Sequence, residues 1–187
     1  MRILLCGATG FIGRHLHHAL AQAGHTVIPA STRGQPGGLA VDFVWDTQPA
    51  VWLPRLQGVD AVVNAVGVLR DQAARPMQAI HAETPHALFD ACAQAGIRRV
   101  VHVSALGLEG NPTQYARSKY EGERALLDAV PSATILRPSI VFGPEDAFFN
   151  RFAGMAKTAA ALPLGGLPLI GGGKTKFQPI FVGDVAE

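Results

Sequence analysis

Gly7, Gly10 and Gly13 stand between a short apolar run and an amphipathic one, and this constrains the fold more than any other feature of the chain. Before them, Arg2-Ile3-Leu4-Leu5-Cys6 reads as a buried strand. After them, Ile12, Leu16, Leu20 and Ala23 recur at helical spacing, and Gly24 supplies a stop. In a strand–turn–helix unit, one glycine permits the tight turn and a second lets backbone N–H groups approach a pyrophosphate. The third lets helix and strand pack closely. The helix N-terminus adds partial positive charge for phosphate. The segment Gly7, Thr9, Gly10, Phe11, Ile12, Gly13 therefore reads as a dinucleotide cradle; the plainer alternative is a glycine turn that only packs a helix on a sheet.

The rest of the chain repeats this alternation. Strands are expected at His25–Ser31, Leu39–Phe43, Asp60–Val66, Arg98–Ser104 and Ala133–Leu136. Helices are expected at Pro49–Gln57, Pro76–Ala95 and Tyr115–Val130, closed respectively by loop, Gly96 and Pro131. Strands alternating with helices demand a parallel sheet covered on both faces, so the fold class is α/β, a doubly wound Rossmann-type sheet. Residues 1–147 form that domain. Residues 148–187 begin a smaller substrate-side region, with a helix over Phe148–Leu162, a Gly- and Pro-rich loop, and a strand leading to a helix start near Asp184. A chain ending on a helix's first turn is expected to be truncated.

With 187 residues, 48% of them apolar, there is enough chain for one real core. A net charge of +2 without any Lys/Arg stripe argues against nucleic acid as a partner. No apolar stretch is long enough to span a bilayer, and a strand at residue two leaves no room for a leader, so no integral membrane segment is expected. Cys6 and Cys92 form no metal-spaced pair, which fits a cytoplasmic, reducing location and no metal site.

Cofactor choice is read about twenty residues beyond the glycines. Where an NAD site places a carboxylate on the ribose hydroxyls, this chain has Ser31-Thr32-Arg33. Arg33 offers a planar fork of donors for an additional phosphate, so NADP is the expected cofactor, with NAD as the alternative. Tyr115 and Lys119 are four apart on one helix face. A free tyrosine titrates near ~10 and is a poor acid or base at neutral pH. A neighbouring ammonium is expected to lower that value and to hold the nicotinamide ribose.

These motifs together resemble the short-chain dehydrogenase/reductase superfamily in its extended and atypical, epimerase/dehydratase-like branches. The resemblance implies that Asp42 and Phe43 bracket the adenine, and that Ala65, Val66 and Gly67, after Asn64, let the dinucleotide lie on the sheet edge. Tyr115-Ala116-Arg117-Ser118-Lys119 matches the family's catalytic pair, and Ser104 its first serine. Pro138 and Ile140, in Arg137-Pro138-Ser139-Ile140-Val141-Phe142-Gly143-Pro144, match the stretch beside the nicotinamide. Two positions depart. Ala105 or Leu106 stands where a catalytic hydroxyl is usual, and His81 is the nearest match to the family asparagine. Loss of that hydroxyl removes a donor for a substrate carbonyl.

The pattern is most similar to the group containing the nucleotide-binding accessory subunit of respiratory complex I and bacterial sugar-nucleotide epimerase-like proteins. It implies hydride transfer to a small-molecule substrate with Tyr115 and Lys119 as acid–base pair. The alternatives are a non-catalytic NADPH-binding subunit in a peripheral or multi-subunit assembly, and a nucleotide-sugar epimerase or dehydratase. Gly171-Gly172-Gly173-Lys174-Thr175 is not a P-loop, because Pro168 stands where its first glycine is required. His15, His17 and His18 read as a solvated helix face, with no carboxylate partner placed in metal-site geometry, and Trp45 and Trp52 as packing residues.

Overall fold

The structure is a computed structural model and describes residues 1–160, 172, 174 and 176–187. The glycine-rich segment over 165–173 lies almost entirely outside the described residues, as does most of the Gly171–Thr175 run.

Strands β1 (Arg2–Cys6), β2 (Thr26–Ser31), β3 (Leu39–Ala40), β4 (Ala61–Asn64), β5 (Arg99–Val103) and β6 (Thr134–Leu136) form one parallel sheet in the order β3-β2-β1-β4-β5-β6. Side chains alternate across a strand, and β1 serves both faces. Ile3 and Leu5 pack with Leu16 of α1 (Phe11–Gln22) on one face. Leu4 and Cys6 pack with Leu88, Phe89 and Cys92 of α3 (Thr84–Gln94) on the other. This is the doubly wound architecture expected from the alternation, and the carboxyl ends of the strands face the site.

Three elements differ from the sequence expectation, each for a local reason. β3 stops at Ala40, and Asp42-Phe43 lies beyond it in a turn. Asp42 Oδ1 accepts the Val44 N–H at 2.8 Å and the Asp42 carbonyl accepts from Trp45 and Asp46, an Asx-type turn that outcompetes strand pairing. The helix expected over Pro76–Ala95 contains a π-helical stretch, Ala79–Glu83, before α3. Pro85 has no N–H for the His81 carbonyl, so the regular ladder cannot pass through that turn. The helix expected over Pro49–Gln57 divides into α2 (Pro49–Trp52) and a 3₁₀ turn at Leu53–Leu56, where Pro54 removes another donor.

Helix α4 (Gln114–Ala129) begins on Thr113, whose side-chain oxygen accepts the Ala116 N–H. It packs on the π-helical stretch so closely that a Cβ at Gly122 would collide with the His81 carbonyl oxygen. Beyond β6, β7 (Val141–Phe142) pairs in parallel with β8 (Ile180–Phe181), a long-range pairing that no periodicity announces. Helix α5 (Ala147–Ala160) is capped by the Asp146 carboxylate, which accepts from Phe149 N–H at 2.6 Å. Helix α6 (Val182–Ala186) packs back on α1. No helix among the described residues is long and apolar enough to cross a membrane.

Candidate functional site

The glycine turn has the close approaches that only glycine allows. Gly7 has φ +82°, and a Cβ there would sit 3.0 Å from the Ala65 carbonyl group. A Cβ at Gly13 would overlap the Gly7 carbonyl oxygen. Gly10 N–H donates to that oxygen at 2.9 Å, and Gly10 caps α1 without any side-chain partner. The first-turn N–H groups of α1 thus meet neither a side-chain cap nor an acidic residue.

In front of this turn lies a cleft of about 260 Å³ at the carboxyl ends of β1, β2 and β4. Its walls include Gly7, Thr9 and Gly10, then Asp42 and Phe43, then Ala65, Val66 and Gly67. Phe11, Ile12 and Gly13 stand behind the wall. Ile12 belongs to the α1-side core, and Phe11 would be 3.1 Å from a Cβ at Gly143. Arg33 is exposed and does not line the cleft, whereas Ser31, Thr32 and Arg75 do. Trp45 is a correction: it is 78% exposed and borders the cleft, while Trp52 is fully buried and donates its indole N–H to the Asp46 carbonyl at 2.7 Å. Arg75 was missed because its loop has no periodicity to place it.

Gly67 connects the cleft to a second group of residues. A Cβ there would lie 3.3 Å from Lys119 Nζ and 3.6 Å from His81 Nε2, so a larger residue would crowd both. His81 Nε2 accepts the Val68 N–H at 3.0 Å and is therefore the unprotonated nitrogen. Its Nδ1 donates to Ser118 Oγ at 2.9 Å, and Ser118 donates to the Tyr115 carbonyl at 3.2 Å. Burial and the Lys119 charge push His81 down to about 4, so the ring is neutral at pH 7. A parallel link sits one strand over: the Asn64 amide donates to His102 Nδ1 at 3.2 Å, and Asn64 Oδ1 accepts the Val66 N–H. His102 is held down to about 3, chiefly by burial.

Lys119 is only 5% exposed and donates to the Val103 carbonyl at 3.0 Å. Burial lowers it to about 8, partly offset by Glu123. Tyr115 is half-buried, and burial raises its pKa. The expected lowering by Lys119 is absent, because that ammonium is directed to Val103. Ser104 follows Val103, with its Oγ buried and without a partner. Leu106 is 58% exposed, and its N–H donates to the Pro138 carbonyl. The Ile140 carbonyl accepts from Ile180, bringing the 138–140 stretch against β8. Glu123 takes a bidentate pair of bonds from Arg137, Nε to Oε1 at 3.0 Å and Nη2 to Oε2 at 2.7 Å, tying α4 to the end of β6. His15 Nε2 lies 3.3 Å from the Glu145 carboxylate, a single surface pair. No group of three or more metal-ligating side chains occurs among the described residues.

Fold and cleft together define a Rossmann-type protein of the dinucleotide-binding class. The chain belongs to the NAD-dependent epimerase/dehydratase family, whose profile it matches over residues 3–187. It is 34% identical over 195 residues to NADH dehydrogenase (ubiquinone) 1 alpha subcomplex subunit 9, mitochondrial, of Arabidopsis thaliana, covering 96% of this chain and 47% of that protein. It is 32% identical over 174 residues to ceramide reductase of Caulobacter vibrioides, covering 90% of this chain and 53% of that protein. Among solved structures, MoeE5 in complex with UDP-glucose and NAD has a TM-score of 0.73 at 21% identity over 100% of this chain and 69% of its own. UDP-glucuronic acid 4-epimerase from Bacillus cereus, with UDP-glucuronic acid and NAD, has a TM-score of 0.74 at 20% identity, covering 100% of this chain and 71% of its own. At these identities the structural likeness shows the fold. The chain spans about half the length of the curated relatives it matches.

Proposed function

We propose that the cleft binds a nicotinamide dinucleotide, with NADP(H) preferred over NAD(H), and that Tyr115 and Lys119 handle the proton in a hydride-transfer reaction. The observation that carries this reading is the position of Gly67. It lines the cleft and stands against both Lys119 and His81, so a ligand lying along the glycine turn ends beside the acid–base group. The uncapped N-terminus of α1 would hold the pyrophosphate through backbone N–H groups. The preference for NADP(H) is supported by the end of β2, where Ser31-Thr32-Arg33 brings no carboxylate to repel a phosphate.

When bound, the nicotinamide supplies a hydride acceptor or donor. Tyr115 supplies or takes the proton at the substrate oxygen. Lys119, a charge held close to its titration point, favours the phenolate once it is turned from Val103 toward Tyr115. Ser104 Oγ, lacking a partner, is the hydroxyl available to that oxygen. Residues 148–187 are assigned to the start of a substrate-side region, and the buried thiols of Cys6 and Cys92 are assigned to a reducing compartment such as the cytoplasm.

One observation favours a second reading, a dinucleotide-binding subunit without turnover. An exposed Leu106 stands where a catalytic hydroxyl is usual, and the relatives include respiratory-complex subunits. Titration with NADPH and NADH at matched ionic strength tests the binding claim; saturable binding is expected, tighter for NADPH, and absence of both overturns it. Oxidation of NADPH with quinones, aldehydes or nucleotide sugars then separates enzyme from binding subunit.

A further inference from the structure

Ser31 closes β2 at 8% exposure, and its Oγ is buried without a hydrogen-bond partner. Its carbonyl is satisfied by the Gly34 and Val41 N–H groups, so the orphan is the hydroxyl alone. An unmade hydrogen bond of this kind is costly, and it borders the cleft that Thr32 also lines. Arg75 reaches the same cleft from the segment after β4, on the other side of β1 in the sheet. That segment is tied down. Asp71 accepts the Met77 N–H at 2.7 Å, the Arg75 N–H donates to the Gln72 carbonyl at 2.8 Å, and Gln72 and Arg75 form an antiparallel bridge. Among the described residues the exposed Arg75 guanidinium has neither an ion pair nor a hydrogen bond.

We propose that Arg75 and the Ser31 hydroxyl together read a phosphate on the adenosine ribose, and that Arg75, not Arg33, sets the preference for NADPH over NADH. The inference rests on the dinucleotide reading above. A guanidinium presents a fork of donors matched to a phosphate dianion, and the Ser31 O–H gains the acceptor it lacks. The two acids nearest this end do not oppose the assignment equally. Asp46 is neutralised by Arg55 at 2.5 Å. Asp42 lines the cleft with one oxygen held by Val44, and its charge is the one Arg75 must offset. Arg33 stands outside the cleft wall.

The test is calorimetric titration of the purified protein and four variants with NADPH and NADH. Arg75→Ala and Arg75→Gln are expected to weaken NADPH by about 10- to 100-fold, the worth of hydrogen bonds to a charged group. NADH is expected to change by less than about threefold in the same variants, which also shows that they fold. Ser31→Ala is expected to weaken NADPH by about three- to tenfold, and Arg33→Ala to leave the ratio of the two affinities unchanged. Equal losses for both cofactors in the Arg75 variants, no loss at all, or a selective loss in Arg33→Ala overturns the assignment of Arg75. Unchanged NADPH affinity in Ser31→Ala overturns the serine's share. A wild-type protein that binds NADH but not NADPH also overturns the inference, whereas one that binds neither overturns the proposed function itself.

Discussion

The His81 ring stands edge-on to Tyr115, with centroids 5.5 Å apart and planes at 89°. Because one ring nitrogen accepts from Val68 and the other donates to Ser118, this neutral imidazole joins the loop after β4 to the helix that carries Tyr115 and Lys119. The cleft wall and the helix that carries Tyr115 and Lys119 are therefore hydrogen-bonded to each other through one ring. A second proton on His81 would turn the Val68 acceptor into a donor and break the joint.

Acid should loosen this joint before it unfolds the rest of the protein. His81 and His102 are held at about 4 and about 3, against an ordinary value of 6.5. Below 6.5 the unfolded chain binds protons that the folded chain refuses, so stability is full above that pH and falls as the pH drops toward 4. The loss over that interval is on the order of 3 kcal/mol for each histidine. Urea melts across pH 7 to 4 measure it. His81→Gln, which keeps a donor and an acceptor without a titrating proton, is expected to flatten part of the slope; an unchanged slope would remove His81 as its cause.

Gly122→Ala should destabilise by about 1–3 kcal/mol, although alanine is the better helix former. The added methyl group meets the His81 carbonyl, which is backbone and cannot swing aside. The expected outcome is a lower denaturation midpoint with an unchanged slope against denaturant. A midpoint raised by the helix propensity of alanine would show that α4 can shift to make room.

The glycine turn, the alternating sheet and the helix that carries Tyr115 and Lys119 are legible because each is a local pattern: spacing in one segment dictates it. What could not be read from the chain depends on distant segments meeting. Arg33 and Arg75 look alike as loop arginines, and only the fold decides which one borders the cleft. Asp42 reads as part of the strand expected over Leu39–Phe43, but its own side chain closes a turn instead. The π-helical turn depends on Pro85 together with the close approach of Gly122 from a separate helix. The bidentate pairing of Glu123 with Arg137 left a trace only as two charges in separate motifs.

Trp45 should report ligand binding by fluorescence. The protein has two tryptophans, and Trp52 is fully buried while Trp45 lies at the cleft in solvent. Stacking of a base on an aromatic side chain is worth about 1–3 kcal/mol in single-stranded nucleic-acid binding proteins, and the exposed indole offers the same face. NADPH or ADP-ribose is expected to quench and shift the emission in wild type and in Trp52→Phe, and to leave the emission of Trp45→Phe unshifted. A response that survives in Trp45→Phe would place the adenine elsewhere.

Tyr115→Phe should reduce turnover by about 10²–10⁴ while leaving NADPH affinity within a few-fold of wild type, because only the hydroxyl is lost. Single-turnover oxidation of NADPH by an accepted carbonyl substrate separates the two effects. Full activity in Tyr115→Phe would assign the proton to another group, Ser104 being the nearest candidate with an unpaired hydroxyl.

Lys119 is where stability and function should part. A lysine at 5% exposure, held to about 8 by burial, is costly to keep charged at neutral pH, and its hydrogen bond to Val103 and the pull of Glu123 recover only part of that cost. Lys119→Met keeps the apolar stem and removes the charge, so at pH 7 it is expected to stabilise the fold by on the order of 1–3 kcal/mol while abolishing turnover and weakening NADPH. The advantage has a defined pH dependence. Between about pH 8 and the ordinary lysine value of 10.5, the unfolded wild-type chain holds more protons than the folded one, so wild-type stability gains on that of the variant as the pH rises. Denaturant melts of both proteins at pH 7 and pH 10 give the two gaps. A gap that is negative at pH 7, or that widens at pH 10, would mean that the buried ammonium is a net structural support, held in place by Glu123 and Val103 and not by the demands of the site.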